Sequence, residues 1–319
     1  MIKNVMDMPL LLLPLVLPLA LGYFSRKITL FEKKEVDALH KFVVKVSVPF
    51  LIFKSLYNAN IESLGQVFPM AGAYTLITIF YTLLVYYLTP YISGVRAKQN
   101  AFAFSIIMGN YAFLGWGVAY LFYGEMGLTR AVFFTIPFWP IFLLCGFWLV
   151  QQRHPEGKGS LRDFFTVLLK NAGIPLLITA LGMAMNIFRV PIPAPLWGVV
   201  DQFSGFTIPL VLYIIGLNFK IRTPLSNIKI IIAASFTRLI VGFGLGIIVA
   251  VVIGVLFPMD SLSRKVILLE AAMPHATLAV FFTQYIEIDK ELLSGIIAFA
   301  TMLSLFTMPM WLLVVERFF

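Results

Sequence analysis

Apolar runs of about 20 residues, the helix length that crosses the hydrocarbon core of a bilayer, recur along the chain between short breaks rich in Lys, Arg, Pro, Gly and Asn. They predict ten spans, at 8–24, 36–57, 66–91, 99–122, 128–151, 163–188, 196–218, 227–257, 262–286 and 291–315. The longest polar stretch between them, from Gln151 to Arg162, is only a loop. The chain therefore reads as an all-α polytopic membrane protein with ten transmembrane helices. Residues 1–151 form a first five-helix repeat, 152–162 a linker, and 163–319 a second repeat.

The two halves match at a fixed offset of 160 residues. Leu17, Ala20, Leu21 and Gly22 meet Leu177, Ala180, Leu181 and Gly182. Ser47, Val48 and Pro49 meet Thr207, Ile208 and Pro209, and Asn58 meets Asn218. Spans 1 and 2 thus recur as spans 6 and 7 without a gap. Five helices per half is an odd number, so the second half is expected to enter the membrane upside down relative to the first. Such inverted repeats place outward-open and inward-open states at nearly equal energy, which suits a transporter.

Composition supports the membrane reading. Hydrophobic residues make up 60% of the chain and charged ones 12%, against roughly 25% charged in a soluble domain. The net charge of +9 is carried by loop cations and not by a basic face, so it does not point to nucleic acid. Loops after odd-numbered spans hold most of them, among them Arg26, Lys27, Lys33, Lys34, Arg96, Lys98, Arg153, Lys158, Lys220 and Arg222. The excess predicts that these loops, the 152–162 linker included, are cytoplasmic and that both termini lie outside a plasma (inner) membrane. Lys3 precedes the first run, but no small-residue cleavage site follows it, so the run reads as a helix and not as a removable signal. Cys145 is the single cysteine, which excludes an intrachain disulfide and a thiolate metal cluster.

Two spans carry helix breakers beside polar side chains. The fourth reads Gly109-Asn110-Tyr111-Ala112-Phe113-Leu114-Gly115-Trp116-Gly117, and the ninth reads Ala271-Ala272-Met273-Pro274-His275-Ala276-Thr277. Backbone freed by a break inside a membrane is tolerated only where it faces protein or a wet cavity. Half-helix N-termini at such breaks would suit an anion. The plainer reading is that the glycines let helices approach closely and Pro274 makes a simple kink.

Asn110, Tyr111, Pro274, His275 and Thr277 are the candidate substrate contacts, joined by Asn218. A mid-span amide such as Asn110 offers both donors and an acceptor, whereas Asn58 and Asn218 at span ends have helix capping as their commoner role. Gly109, Gly115, Gly117, Pro49 and Pro209 are the candidate helix breaks. Arg238 and Glu270 are costly inside a span and read either as an interhelical ion pair or, for Glu270, as a group that binds a coupling proton or cation. Lys41 and Lys45 share a stripe with Asp37 and read as snorkelling, as does Lys54.

In their order and spacing, Leu21-Gly22-Tyr23, Val48-Pro49 with Leu51-Ile52-Phe53, Gly109-Asn110 through Gly115, Ala272-Met273-Pro274-His275-Ala276 and Ser304-Leu305-Phe306-Thr307-Met308-Pro309 resemble the auxin efflux carrier family of permeases. The resemblance covers nearly the whole chain. It implies a five-plus-five inverted repeat with broken helices 4 and 9 crossing at mid-membrane. It also implies a scaffold of helices 1, 2, 6 and 7 beside a moving unit, a homodimer, and an organic anion as substrate. Two features depart from the family pattern. Gly115-Trp116-Gly117 stands where a proline usually follows the glycine, and Glu270 is unusual.

The expectation is a secondary transporter of a small organic anion, a mono- or dicarboxylate, working by alternating access on a proton or sodium gradient or downhill. There is no P-loop, HExxH or GxSxG, so no ATP-driven or hydrolytic chemistry and no cofactor is expected. A membrane metabolite sensor without transport is the competing reading, weakened by the absence of a long output domain. An intramembrane enzyme is disfavoured, because Glu270 and His275 lie about 140° apart around one helix.

Overall fold

The computed structural model describes residues 8–60, 64–153, 161–219 and 225–319. Residues 154–160 of the predicted linker lie outside these, as do the loop cations Lys3, Lys158, Lys220 and Arg222. Among the described residues the fold is all helical, with one isolated backbone bridge between Gly109 and His275. In chain order the helices are α1 (Met8–Lys27), α2 (Lys33–Phe42), α3 (Val48–Tyr57), α4 (Val67–Ile92), α5 (Arg96–Ile106), α6 (Trp116–Thr135), α7 (Phe138–Arg153), α8 (Leu161–Ile187), α9 (Ala194–Gly205), α10 (Thr207–Asn218), α11 (Ile228–Phe236), α12 (Gly242–Leu256), α13 (Ser261–Ala271) and α14 (Lys290–Phe318). Wider π-helical turns join α2 to α3 at Val43–Ser47 and α11 to α12 at Thr237–Val241, and another, Tyr111–Gly115, runs into α6.

Five stretches among the described residues are long and apolar enough to cross a membrane: Val67–Ile92, Tyr111–Arg153, Ala194–Asn218, Ile228–Leu256 and Lys290–Phe318. The second is not one rod. Gly124 has φ 61° and ψ −154°, a backbone that strains any residue with a Cβ, and it turns the chain inside α6. Only 33% to 50% of the most apolar window of each stretch is buried within the chain. Side chains such as Leu177, Val255 and Phe306 point outward, and a surface this apolar is stable only against lipid.

The chain divides into two compact units. The first comprises Met1–Gly65, Ala112–Val132 and Gly173–Phe219; the second comprises Gln66–Tyr111, Phe133–Ala172 and Lys220–Phe319.

In the first unit, contacts recur at the 160-residue offset. α1 crosses α10 where Gly22 faces the Tyr213 carbonyl and Gly216 faces the Leu19 carbonyl, each so close that a Cβ would overlap backbone. The equivalent Gly182 of α8 lies against α3, its Cβ position 3.4 Å from the Phe53 carbonyl oxygen and 3.2 Å from the Leu56 Cβ. Both α1 and α8 end in the same C-cap. Thr29 and Arg189 each have φ 51°, the left-handed residue of a Schellman motif. The long closing bond runs from Leu30 N–H to Ser25 O at 2.9 Å and from Val190 N–H to Met185 O at 2.9 Å.

The side chain three residues before each cap also repeats its role. Arg26 donates to the Phe219 carbonyl, and Asn186 donates to the Ala59 carbonyl at 2.6 Å. Between the equivalent prolines, the Thr207 hydroxyl donates to the Ser47 carbonyl at 3.2 Å.

The three lysines read from the sequence as snorkelling lie in this unit. Lys54 pairs with Asp201 at 2.8 Å and with Glu125 at 3.3 Å, both carboxylates being more than half exposed. Lys41 and Lys45 are exposed, in keeping with snorkelling.

The glycine crossing can be tested by substitution. Gly216→Ala puts a methyl group into rigid backbone, and overpacking of this kind costs about 1–3 kcal/mol. Gly198→Ala in α9, where nothing lies within 4 Å, should stay within about 0.5 kcal/mol. Thermal unfolding of the detergent-solubilised protein should separate the two, with a lowered midpoint for Gly216→Ala alone.

Candidate functional site

Two half-length helices of the second unit, α5 and α13, end at one place. α13 starts at the Asp260 cap, whose carboxylate accepts from the Ser263 N–H at 2.6 Å. It stops because the last turn tightens, with Ala272 N–H bonding to Leu269 O at 3.2 Å and Met273 N–H to Glu270 O at 3.1 Å. Pro274 follows and has no N–H to continue the ladder. α5 stops after Ile107, whose N–H reaches Ala103 O at 3.2 Å.

The two unwound segments then pair as a single antiparallel bridge. Asn110 N–H donates to Pro274 O at 2.7 Å, and Ala276 N–H donates to Met108 O at 3.0 Å, with Gly109 opposite His275. This is the pattern of a non-hydrogen-bonded antiparallel pair, in which the flanking residues make the bonds. Backbone groups that helix termination would leave bare in a membrane are satisfied by each other. A Cβ at 109 would overlap the Arg238 guanidinium and the Tyr111 ring, so any larger residue there would displace them.

Arg238 holds the remaining carbonyls. It is fully buried in the π turn of Thr237–Val241. Its Nε and Nη2 donate to Met273 O at 3.1 and 2.9 Å, and its Nη1 donates to Ile106 O at 3.4 Å and to the Tyr111 hydroxyl at 3.1 Å. One guanidinium therefore binds the C-terminal ends of both half-helices, where the dipoles place partial negative charge. The rings of Tyr81 and Tyr111 lie 4.6 and 5.2 Å from its Cζ, adding cation–π attraction. A π turn disrupts the regular i→i−4 ladder, and its carbonyls are taken up by side chains: Tyr81 donates to Thr237 O at 3.4 Å and Trp311 to Leu239 O at 2.7 Å.

The structure thus brings together Gly109, Asn110, Tyr111, Arg238, Glu270, Pro274, His275 and Thr277 in the second unit. Asn110 is 5% exposed, and its side-chain amide makes no hydrogen bond among the described residues. His275 is fully buried, with Nδ1 2.9 Å from the Ser105 carbonyl oxygen, so this nitrogen carries the proton and ties the break to α5. Thr277 is exposed at the first residue of a 3-10 turn, Thr277–Gln284. Glu270 is 1% exposed and forms no ion pair with Arg238 among the described residues; both carboxyl oxygens lack a hydrogen-bond partner. The guanidinium prefers the carbonyls because these converge on it from two helix ends.

Other candidates fall in the first unit. Asn218 is exposed at the end of α10 and donates to Ile214 O at 3.0 Å, a local bond within its own helix. Pro49 follows the Val43–Ser47 π turn, and Pro209 follows the interruption between α9 and α10 at Phe206. The break expected over Gly109–Gly117 is confined to its beginning. Gly115 ends a π turn, and Gly117 lies inside α6, where a Cβ would sit 3.2 Å from Ile208 and Leu15. Gly117 thus serves close packing. α5 and α13 present their C-terminal ends to Arg238, and the helical segments that follow the bridge begin at Tyr111 and Thr277.

The sequence reading missed Tyr81, Tyr74 and Trp311. Tyr74 stands edge-on to Tyr111, 5.5 Å between ring centres. Tyr74 and Tyr81 are seven residues apart and so share one face of α4, a spacing that was available as a signal.

The model of the membrane transport protein family matches residues 9–157 and 161–312. The chain belongs to this family, that of the auxin efflux carriers. It is 26% identical over 294 residues to an uncharacterised transporter of Methanothermobacter thermautotrophicus, covering 91% of this chain and 93% of that one. It is also 26% identical over 312 residues to an uncharacterised transporter of Methanocaldococcus jannaschii, covering 96% and 97%. Family membership and the lipid-facing helices make this a multi-pass membrane transport protein.

In this family member the Arg238 bonds set the stability of the crossing. Arg238→Leu leaves the Met273 and Ile106 carbonyls unpaired, each costing about 1–3 kcal/mol. Tyr111→Phe removes one hydrogen bond to a charged donor, about 1.5–3 kcal/mol. Thermal unfolding in detergent should rank wild type above Tyr111→Phe and Tyr111→Phe above Arg238→Leu.

Proposed function

We propose that this protein is a secondary carrier of a small organic anion, a mono- or dicarboxylate, working by alternating access. The observation that carries the reading is the Asn110 amide. It stands unbonded among the described residues while its own backbone N–H already pairs with Pro274 O, and the neighbouring Gly109 lies against a buried guanidinium that supplies positive charge. An amide in that position can donate to a carboxylate without first breaking a bond within the protein. Thr277, exposed at the start of its turn, is the second contact.

The architecture of this carrier is ten traverses in two inverted sets of five. The traverses are α1, α2–α3, α4, α5 with the first part of α6, the rest of α6 with α7, then α8, α9–α10, α11–α12, α13 with its 3-10 turn, and α14. Support comes from the equivalent caps and glycine contacts at a 160-residue offset. The unit that contains the crossing is the one that moves, the unit built on α1, α3, α8 and α10 is the scaffold, and the carrier works as a homodimer. Loop cations support cytoplasmic odd-numbered loops, termini outside and residence in the plasma membrane.

Counterflow into proteoliposomes with a panel of labelled mono- and dicarboxylates tests the reading. Saturable exchange is expected for at least one member. Asn110→Ala should lower its Vmax/KM about tenfold to a hundredfold, the equivalent of one hydrogen bond to a charged group. No saturable exchange, or an Asn110→Ala variant with unchanged exchange, overturns it.

A further inference from the structure

Glu270 is a buried acid that the crossing does not use. It sits in the last turn of α13, 1% exposed, and neither carboxyl oxygen meets a hydrogen-bond donor. The cation facing it is Arg238, from the π turn of Thr237–Val241, within electrostatic reach but with its Nε, Nη1 and Nη2 all donating to carbonyls and to Tyr111. Tyr111 faces it from the neighbouring break. A Cβ on Gly242 of α12 would meet both the adjoining Ala271 carbonyl and the Tyr81 hydroxyl of α4, and the Tyr81 ring packs on Arg238. His275, beyond the break on the same strand of chain, is tied to Ser105.

An ionised carboxylate in such a place would draw donors to itself, since an unpaired buried charge is far costlier than an unpaired neutral group. The Arg238 guanidinium donates instead to the Met273 and Ile106 carbonyls and to Tyr111. The geometry points to Glu270 as a proton-binding site: in this conformation its carboxyl group is neutral, and its proton is loaded from one aqueous side and released to the other as the carrier changes conformation. The proton comes from water, adds to the carboxylate, and returns to water after the change, so nothing else is consumed. While Glu270 is neutral, Arg238 leaves one positive charge uncompensated among the buried groups of the crossing. That charge favours a bound anion, and an ionised Glu270 would compete with it. One proton would therefore accompany one carboxylate. This role rests on the anion-carrier reading, whereas the proton site itself does not.

Two measurements separate them. Infrared spectra of the purified chain in lipid nanodiscs near neutral pH, without substrate, should contain a protonated-carboxyl stretch that Glu270→Gln lacks. The absence of any Glu270-dependent band overturns the proton site, whatever the substrate. In proteoliposomes loaded with a pH-sensitive dye, an inward lactate gradient should acidify the lumen with wild type. Glu270→Gln should carry labelled lactate with acidification reduced at least about tenfold, the scale of one linked proton per pH unit. Equal acidification by both proteins overturns the coupling. Should neither protein carry lactate or any carboxylate of the panel, the anion reading falls and the infrared band still decides Glu270. Glu270→Asp, which keeps the acid, should restore both the band and the acidification, so a folding defect of the Gln variant is recognisable.

Discussion

Two helices that end at one buried place leave carbonyls without helical partners, and one guanidinium binds a carbonyl from each. Arg238 binds Met273 O and Ile106 O together, and Pro274 O and Met108 O are paired in the bridge between Gly109 and His275. The place is buried from water, and a buried polar group left unsatisfied costs roughly 1–3 kcal/mol. Much else in the second unit follows from holding that arginine. The π turn carries it, Tyr81 and Tyr111 cover its faces, Gly109 leaves space for it, and Trp311 takes up a carbonyl of the turn.

The first unit solves a different problem. Between helices in lipid, association gains little from hydrophobic burial and depends on close contact. Gly22 and Gly216 bring α1 and α10 into backbone contact, and Gly182 does the same for α8 against α3. The left-handed caps at Thr29 and Arg189 end α1 and α8 in the same way, so the connections that follow leave in equivalent directions. Corresponding positions have corresponding partners because the contacts are made by small residues and backbone, which tolerate little change in register.

The crossing departs from that correspondence. α13 begins 165 residues after α5, not 160, and nothing like Arg238 occurs at the matching depth of α4, where Ala73 to Thr78 contain no cation. One half supplies the arginine that serves both breaks. The same half supplies Glu270, so the two ends of the crossing differ in charge although their backbones pair symmetrically.

That the chain is built of apolar helices, and that two of them stop near Gly109 and Pro274, was legible in the sequence, because membrane crossing imposes a length and helix breaking a residue type. The importance of Asn110, Arg238 and Glu270 was legible too, since polar groups inside a span are costly enough to require a reason. Their partners were not. Whether Arg238 would pair with Glu270 or with carbonyls depends on which helix ends converge, and that is set by packing between segments more than 100 residues apart in the chain. Likewise Gly115 and Gly117 have the composition of a break, but the chain rewinds before reaching them, because the bridge at Gly109 already satisfies the freed backbone. Residue chemistry determined what had to be compensated, and tertiary contact decided which groups compensate it.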